Sequence, residues 1–417
     1  MIIPQYMDQF KTDEEYMKVL SAINLKNYSI NVQTIDESVP FFVSTIIEDI
    51  NKPILIICPT SSHALRLQEN ISAWNDREII RFPESESLPY ERLITDYSTS
   101  RNRIEALVKI STSTGKPPVV ITSVAAICQN TIDIASFNKS FQLIKLGDEI
   151  IIRELLNRLV DLGYTHEKTV YSHGQFSRKG GIIDIFPVSY DQPFRIEFWG
   201  DQIDSIRKFD VDSQRSLEQI KSFKIYPALE SLPLMISGDK TETMLSHIDL
   251  SNCTPQDTER INGQLDLLLE GQPMEELNLY SGFFNHGNLL DYFNKNSSMI
   301  MYRPSDIAIN YMEIAERIQQ LRITKETRGE LPYNFPSNHT TWQTVENNLR
   351  TWKSEINILP WGATDLDYKE NFTMPFSSAP NYHGDLNLCA KETKEFIKSG
   401  GKFLASTSYL SRLNEIF

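Results

Sequence analysis

Two apolar runs closed by turn residues, PILIICP at 53–59 and PVVIT at 118–122, read as strands buried on both faces, the pattern of a parallel sheet. Between them Ala64, Leu65, Leu67, Ile71 and Trp74 recur at roughly helical spacing, and Ser61 and Ser62 stand where a helix start is capped. Ile104, Leu107, Val108 and Ile110 predict a further helix leading into the second strand. The first third of the chain is therefore expected to be α/β.

The texture changes near Lys145. A helical stretch over 150–162 precedes closely spaced strands, GGIIDIFP, PFRIEFWGDQI and IRKFD, punctuated by Gly180-Gly181, Pro187 and Gly200-Asp201. In PFRIEFW the alternation puts Phe194, Ile196 and Phe198 on one face and Arg195, Glu197 and Trp199 on the other. Two readings of the second face stand side by side. Arg and Trp are favoured at interface hot spots; equally, Trp199 covers a small second core and Arg195 pairs with Glu197 or another acid. Asp184, Phe186 and Pro187 read as a strand end, and Asp210, Asp212, Gln214 and Arg215 as a turn after a strand.

Past Pro227 the pattern is mixed again, with Leu265, Leu267 and Leu268, the aromatics Tyr280, Phe283 and Phe284, and the run Met299-Ile300-Met301. A return to the first α/β unit makes the middle domain an insertion. The expected organisation is α/β over 1–144, an inserted α+β domain over 145–228, the second part of the α/β domain over 229–345, a linker over 346–371, and the start of a small third α/β domain over 372–417. A polar stretch at 324–337, with Gly329, Pro332 and Pro336, is expected as a loop or linker, and the end as a helix over 392–398 followed by a strand over 401–405.

Composition narrows the function. At 417 residues, 40% hydrophobic and 23% charged, the chain fits a globular protein of two to four domains. A net charge of −14 argues against a surface given over to phosphate contacts. No run approaches the ~20 apolar residues of a membrane span, and the start lacks a signal-peptide layout, so a cytoplasmic location is expected. Cys58, Cys128, Cys253 and Cys389 form no CxxC pair, the seven histidines show no metal-ligand spacing, and neither GxSxG nor GxxxxGK[ST] occurs.

Two segments carry a family resemblance. RFPESESLPYERLITDYSTSRNRIEALVKI (81–110) is similar to a segment of bacterial transcription-repair coupling factors, and GQFSRKGGIIDIFPVSYDQPFRIEFWGDQIDSIRKFDVDSQRSL (174–217) resembles the UvrA-contacting domain that these factors share with UvrB. The resemblance covers about 31–417, weakest over 235–291. It implies a UvrB-like helicase-type α/β fold with an inserted UvrA-binding domain, and an amino-terminal piece of a longer protein. The family's RNA-polymerase-interacting domain and its double-stranded DNA translocase, which uses ATP and Mg, lie beyond this region.

The same resemblance implies partner-binding residues. Arg195 matches a UvrA-contacting Arg, Trp199 falls where a contacting Phe can stand, and Lys179 lines up with another contacting Arg, with Arg178 beside it; Glu197 shares the strand of Arg195 and Trp199. Lys cannot supply the bidentate fork of Arg. UvrB's phosphate loop would fall in VQTIDESVPFFVSTIIEDINKP, which has no Gly, and its magnesium-holding acids after Met301, where Arg303 stands instead with Asp306 further on. UvrB's long aromatic hairpin also has no counterpart between Phe82 and Ile104. The expectation is a module without cofactor or ATPase activity that recruits UvrA to stalled RNA polymerase and restrains the carboxy-terminal motor by an intramolecular contact. Its rivals are an ATP-dependent repair helicase of UvrB type and a scaffold whose UvrA face has decayed.

Overall fold

Both apolar runs form strands, Ile54–Cys58 and Val119–Ser123, with every residue buried. They pair in parallel inside a seven-stranded sheet of order Glu370–Thr373, Tyr28–Thr34, Ser354–Pro360, Ser298–Tyr302, Ile54–Cys58, Val119–Ser123, Ile79–Phe82, in which every pairing is parallel. The computed structural model describes residues 3–25, 27–85, 88–93, 97–232, 238–272, 274–363, 370–405, 411 and 415. It divides into two compact units, Met1–Met374 and Pro375–Phe417.

The helices follow the apolar spacing. Ser61–Ser72 buries Ala64, Leu67 and Ile71, whereas Leu65 is exposed and Trp74 lies past the end, edge-on to Phe41. Its cap is Thr60, one residue before the expected serines, whose Oγ1 accepts from the His63 N–H. Tyr97–Thr112 buries Ile104, Leu107, Val108 and Ile110. Of the 81–110 segment, residues 86–87 and 94–96 lie outside the described residues.

The chain enters the inserted domain along Gln142–Lys145 and leaves along Ser222–Ile225, and these two strands pair antiparallel, Gln142 opposite Ile225. The two ends of the insertion are thus tied together by one ladder. Beyond this neck stand helix Ile152–Asp161 and a six-stranded sheet of order Ser216–Gln219, Gln202–Phe209, Phe194–Trp199, Ile182–Ile185, Gln175–Lys179, Thr165–His166. Leu155 and Leu159 of the helix meet Ile183, Ile185, Phe194, Ile196 and Ile206 of the sheet. The same apolar cluster runs on through Phe137 and Ile144 to Leu55 and Val120 of the parallel sheet. A second cluster gathers Ile261, Leu265, Leu268, Tyr280, Phe283 and Phe284.

Several expectations give way. The 346–371 segment is no linker: helix Trp342–Leu349 runs into it, and Ser354–Pro360 is a strand inside the parallel sheet with Ile356, Ile358 and Leu359 buried. Phe372, expected to open a third domain, pairs with Val32 in the first unit. The polar 324–337 stretch begins as the last turn of helix Pro304–Thr327, and Leu331 and Phe335 then plug the second cluster. In the second unit, helix Leu386–Lys398 is capped by the Asp385 carboxylate, and 401–405 forms no strand. No described helix is long and apolar enough to cross a membrane.

Candidate functional site

Directly opposed residues in a sheet share a face, so pairing sorts the inserted domain's side chains. One cross-strand row runs Lys179, Ile182, Glu197, Ser205; the next runs Ser177, Asp184, Arg195, Arg207, with Gln219 beyond it. These rows and Trp199 form the outward face. Arg178 belongs to the opposite row, with Ile183, Ile196 and Ile206. Its Nε donates to the Gly180 carbonyl, so the structure separates it from Lys179.

Trp199 is 82% exposed at the hairpin tip, where Gly200 supplies the left-handed backbone (φ 64°) of the turn. It covers no second core. Arg195 instead takes the structural part: Nε and Nη2 donate to the two oxygens of Asp184 at 2.7 and 2.9 Å, Nη1 donates to the Gln214 carbonyl at 3.3 Å, and the guanidinium lies over the Phe209 ring. The side chain is 19% exposed and that of Asp184 3%. Donation to the Asp184 carboxylate raises the Arg195 pKa against the opposing effect of burial. Gln214 reaches this position because Asp210, Ser213 and Arg215 form the expected turn, closed by Asp210 Oδ1 accepting from the Ser213 N–H. Glu197 accepts from the Ser205 hydroxyl at 2.7 Å.

A second group of residues meets at the carboxyl ends of the parallel strands, where open α/β sheets bind ligands. Tyr28–Thr34 leads through the turn Asp36–Ser38 into helix Val39–Asp49. Two strands over, past Ser354–Pro360, Ser298–Tyr302 ends at Arg303. Arg303 holds a left-handed backbone (φ 56°), uncommon for a side chain of its size. Its guanidinium pairs with Asp36 through Nη2 and with Asp306 through Nη1 at 3.1 Å. The Tyr302 hydroxyl also donates to Asp36. Burial pushes the Tyr302 phenol up to about 12; it also disfavours the Arg303 charge, but Asp36 and Asp306 raise that pKa overall. Pro40 in the first turn of the helix removes a backbone N–H, and the Ser38 hydroxyl donates to the Ile35 carbonyl.

Residues 143–230 match the model of the UvrB interaction domain. The transcription-repair-coupling factor of Bacillus subtilis is 27% identical over 381 residues, covering 81% of this chain and 32% of that protein. This chain is a relative of the transcription-repair-coupling factors. The Escherichia coli factor is 31% identical over 178 residues, 43% of this chain and 15% of its own length. UvrABC system protein B of Thermotoga petrophila is 30% identical over 203 residues, 46% of this chain and 30% of its own. The chain thus spans about a third or less of the length of these relatives.

Within the UvrB interaction domain, Lys179, Arg195, Glu197 and Trp199 share the outward face and Arg178 does not. Sequence reasoning missed Arg207 and Ile182. Both follow from register: Arg207 stands opposite Arg195, and Ile182, 37% exposed, opposite Glu197. The signal that finds Arg207 is the alternation in Gln202–Phe209, shifted by one residue at the bulge between Ile203 and Ser205.

Proposed function

We propose that this chain is the UvrA-docking module of a transcription-coupled repair factor, recruiting UvrA to RNA polymerase stalled at DNA damage and restraining a translocase carried by the longer protein. The observation that carries the reading is Trp199, a large exposed aromatic on the same sheet face as Lys179 and Glu197, inside a segment that matches the UvrB interaction domain. An aromatic anchor on a rigid hairpin binds with little loss of side-chain freedom. With Lys179 in the row beside it and Arg195 held at its inner edge, the face offers cations around an apolar centre. Arg178 lies at the sheet end and would meet a partner only by wrapping round it. In calorimetry with purified UvrA, Trp199→Ala is expected to weaken binding by about 2 kcal/mol or more with the fold intact. Unchanged affinity would move the docking site elsewhere.

The residues at the strand ends support a module without ATP hydrolysis of its own. A phosphate nest needs backbone N–H groups and a cation aimed at the phosphates. Here the turn presents Asp36 and Glu37, Pro40 removes a donor, and the nearby cation, Arg303, is bound to Asp36 and Asp306. The charge pattern is the reverse of a nucleotide site: acid in the phosphate turn, base after the magnesium strand. Titration with a fluorescent ATP analogue and Mg is expected to show no saturable binding up to millimolar ligand. Micromolar binding would favour a UvrB-type helicase instead.

A further inference from the structure

Resting on the docking reading above, the cations of the outward face differ in whether they are already committed to partners within the fold. Arg195 is: its fork is filled by Asp184, its third nitrogen by Gln214, and its plane lies on Phe209. Arg207, its cross-strand partner, is exposed and makes no side-chain hydrogen bond or ion pair with the described residues. Like charges directly opposite each other on a sheet destabilise it. Asp184 neutralises Arg195 and so makes this placement tolerable, while leaving Arg207's five donors free. Lys179, in the neighbouring row, is exposed and uncommitted in the same way. The face therefore carries two available cations, Arg207 and Lys179, around the closed Arg195–Asp184 pair, with Ile182 and Trp199 as its exposed apolar surface. This stands out in a chain of net charge −14.

We propose that Arg207 is the cation by which this face recognises an acidic patch on UvrA, and that Arg195 is a positioning residue that ties the strand to Asp184 beneath the 210–215 turn. A planar fork on a rigid strand suits a carboxylate of the partner, held in bidentate geometry. An exposed cation at the rim also speeds encounter in a salt-dependent way.

The test is calorimetry and association kinetics of the full chain with purified UvrA at low and high salt, for the wild type, Arg207→Ala, Arg207→Glu, Arg207→Lys and Trp199→Ala, each checked by thermal melting. Arg207→Ala is expected to melt within a degree or two of the wild type and to weaken UvrA binding roughly tenfold, Arg207→Glu more, and Arg207→Lys less. The difference between wild type and Arg207→Ala should shrink as salt rises. A passive surface residue would show neither the salt dependence nor the order Lys, Ala, Glu. Wild-type affinity in Arg207→Ala, with Trp199→Ala still impaired, overturns the proposal and leaves the docking reading standing. No binding by the wild type overturns both. A parallel titration with a double-stranded DNA oligonucleotide closes the remaining route: if Arg207→Ala weakens DNA binding and leaves UvrA binding alone, the residue serves phosphate and the proposal fails.

Discussion

Arg195→Ala is expected to destabilise the inserted domain by about 3–5 kcal/mol, because it strands a buried carboxylate. The Asp184 side chain is 3% exposed and both its oxygens accept from Arg195. Removing the guanidinium takes away both donors that Asp184 has among the described residues, and the contact with Phe209 is lost as well. The Gln214 carbonyl loses a donor, so the 210–215 turn loosens with it. Urea denaturation of Arg195→Ala against the wild type measures the loss. The double variant Arg195→Met with Asp184→Leu removes both charges and is expected to return to within about 1–2 kcal/mol of the wild type, since a buried pair replaced by apolar groups is often neutral. A change under about 1 kcal/mol in the single variant would mean that Asp184 has another partner. Loss of UvrA binding in Arg195→Ala is therefore ambiguous between a missing contact and a disordered face; Trp199 and Arg207, which are exposed, give the cleaner reading.

What the sequence disclosed follows from where its periodicity is strong. The alternation in Phe194–Trp199 assigned two faces correctly, because Phe194 and Ile196 pack into the core and Trp199 has nowhere to be buried. It could not name Asp184 as the partner of Arg195, since that depends on the register between Ile182–Ile185 and Phe194–Trp199, which the connection over 186–193 sets. The missed strands Tyr28–Thr34 and Ser354–Pro360 hide for a different reason. Asn31 and Asn357, polar residues that suggest turns, are buried and bonded to each other across the parallel pair at 3.0 Å, and Asn31 donates onward to Asn371 at 2.9 Å. An asparagine ladder interrupts the apolar pattern without breaking the sheet, and 346–371 consequently read as a linker. At the strand ends, the absent glycines and the cation at 303 were legible, but not that Arg303 meets Asp36, which lies across an intervening strand.

Glu230→Ala is expected to cost about 3–5 kcal/mol as well, and to act on the tether of the inserted domain instead of its face. Arg103, on helix Tyr97–Thr112, is 1% exposed; its Nε donates to Glu230 Oε2 at 2.7 Å, its Nη1 to the Pro83 carbonyl at 2.7 Å, and its guanidinium lies 4.1 Å from the Phe82 ring centroid. The other Glu230 oxygen accepts from the Thr131 hydroxyl. Glu230 follows closely on the exit strand Ser222–Ile225, so this pair fastens the end of the insertion to the α/β body. Removing the carboxylate leaves a buried guanidinium with only a carbonyl and a ring to hold it, which is the expensive half of a buried pair to leave behind. Arg103→Met with Glu230→Leu should again recover most of the loss. Because the outward face lies beyond the neck ladder, hydrogen exchange in Glu230→Ala is expected to accelerate in Tyr97–Thr112 and around Thr131 while Phe194–Trp199 stays protected, and UvrA affinity under native conditions is expected to hold within about twofold. Exchange that rises equally in both regions would mean that the inserted domain and the α/β body unfold as one cooperative unit, consistent with the apolar cluster that runs through the neck, and that the face depends on the tether for its stability.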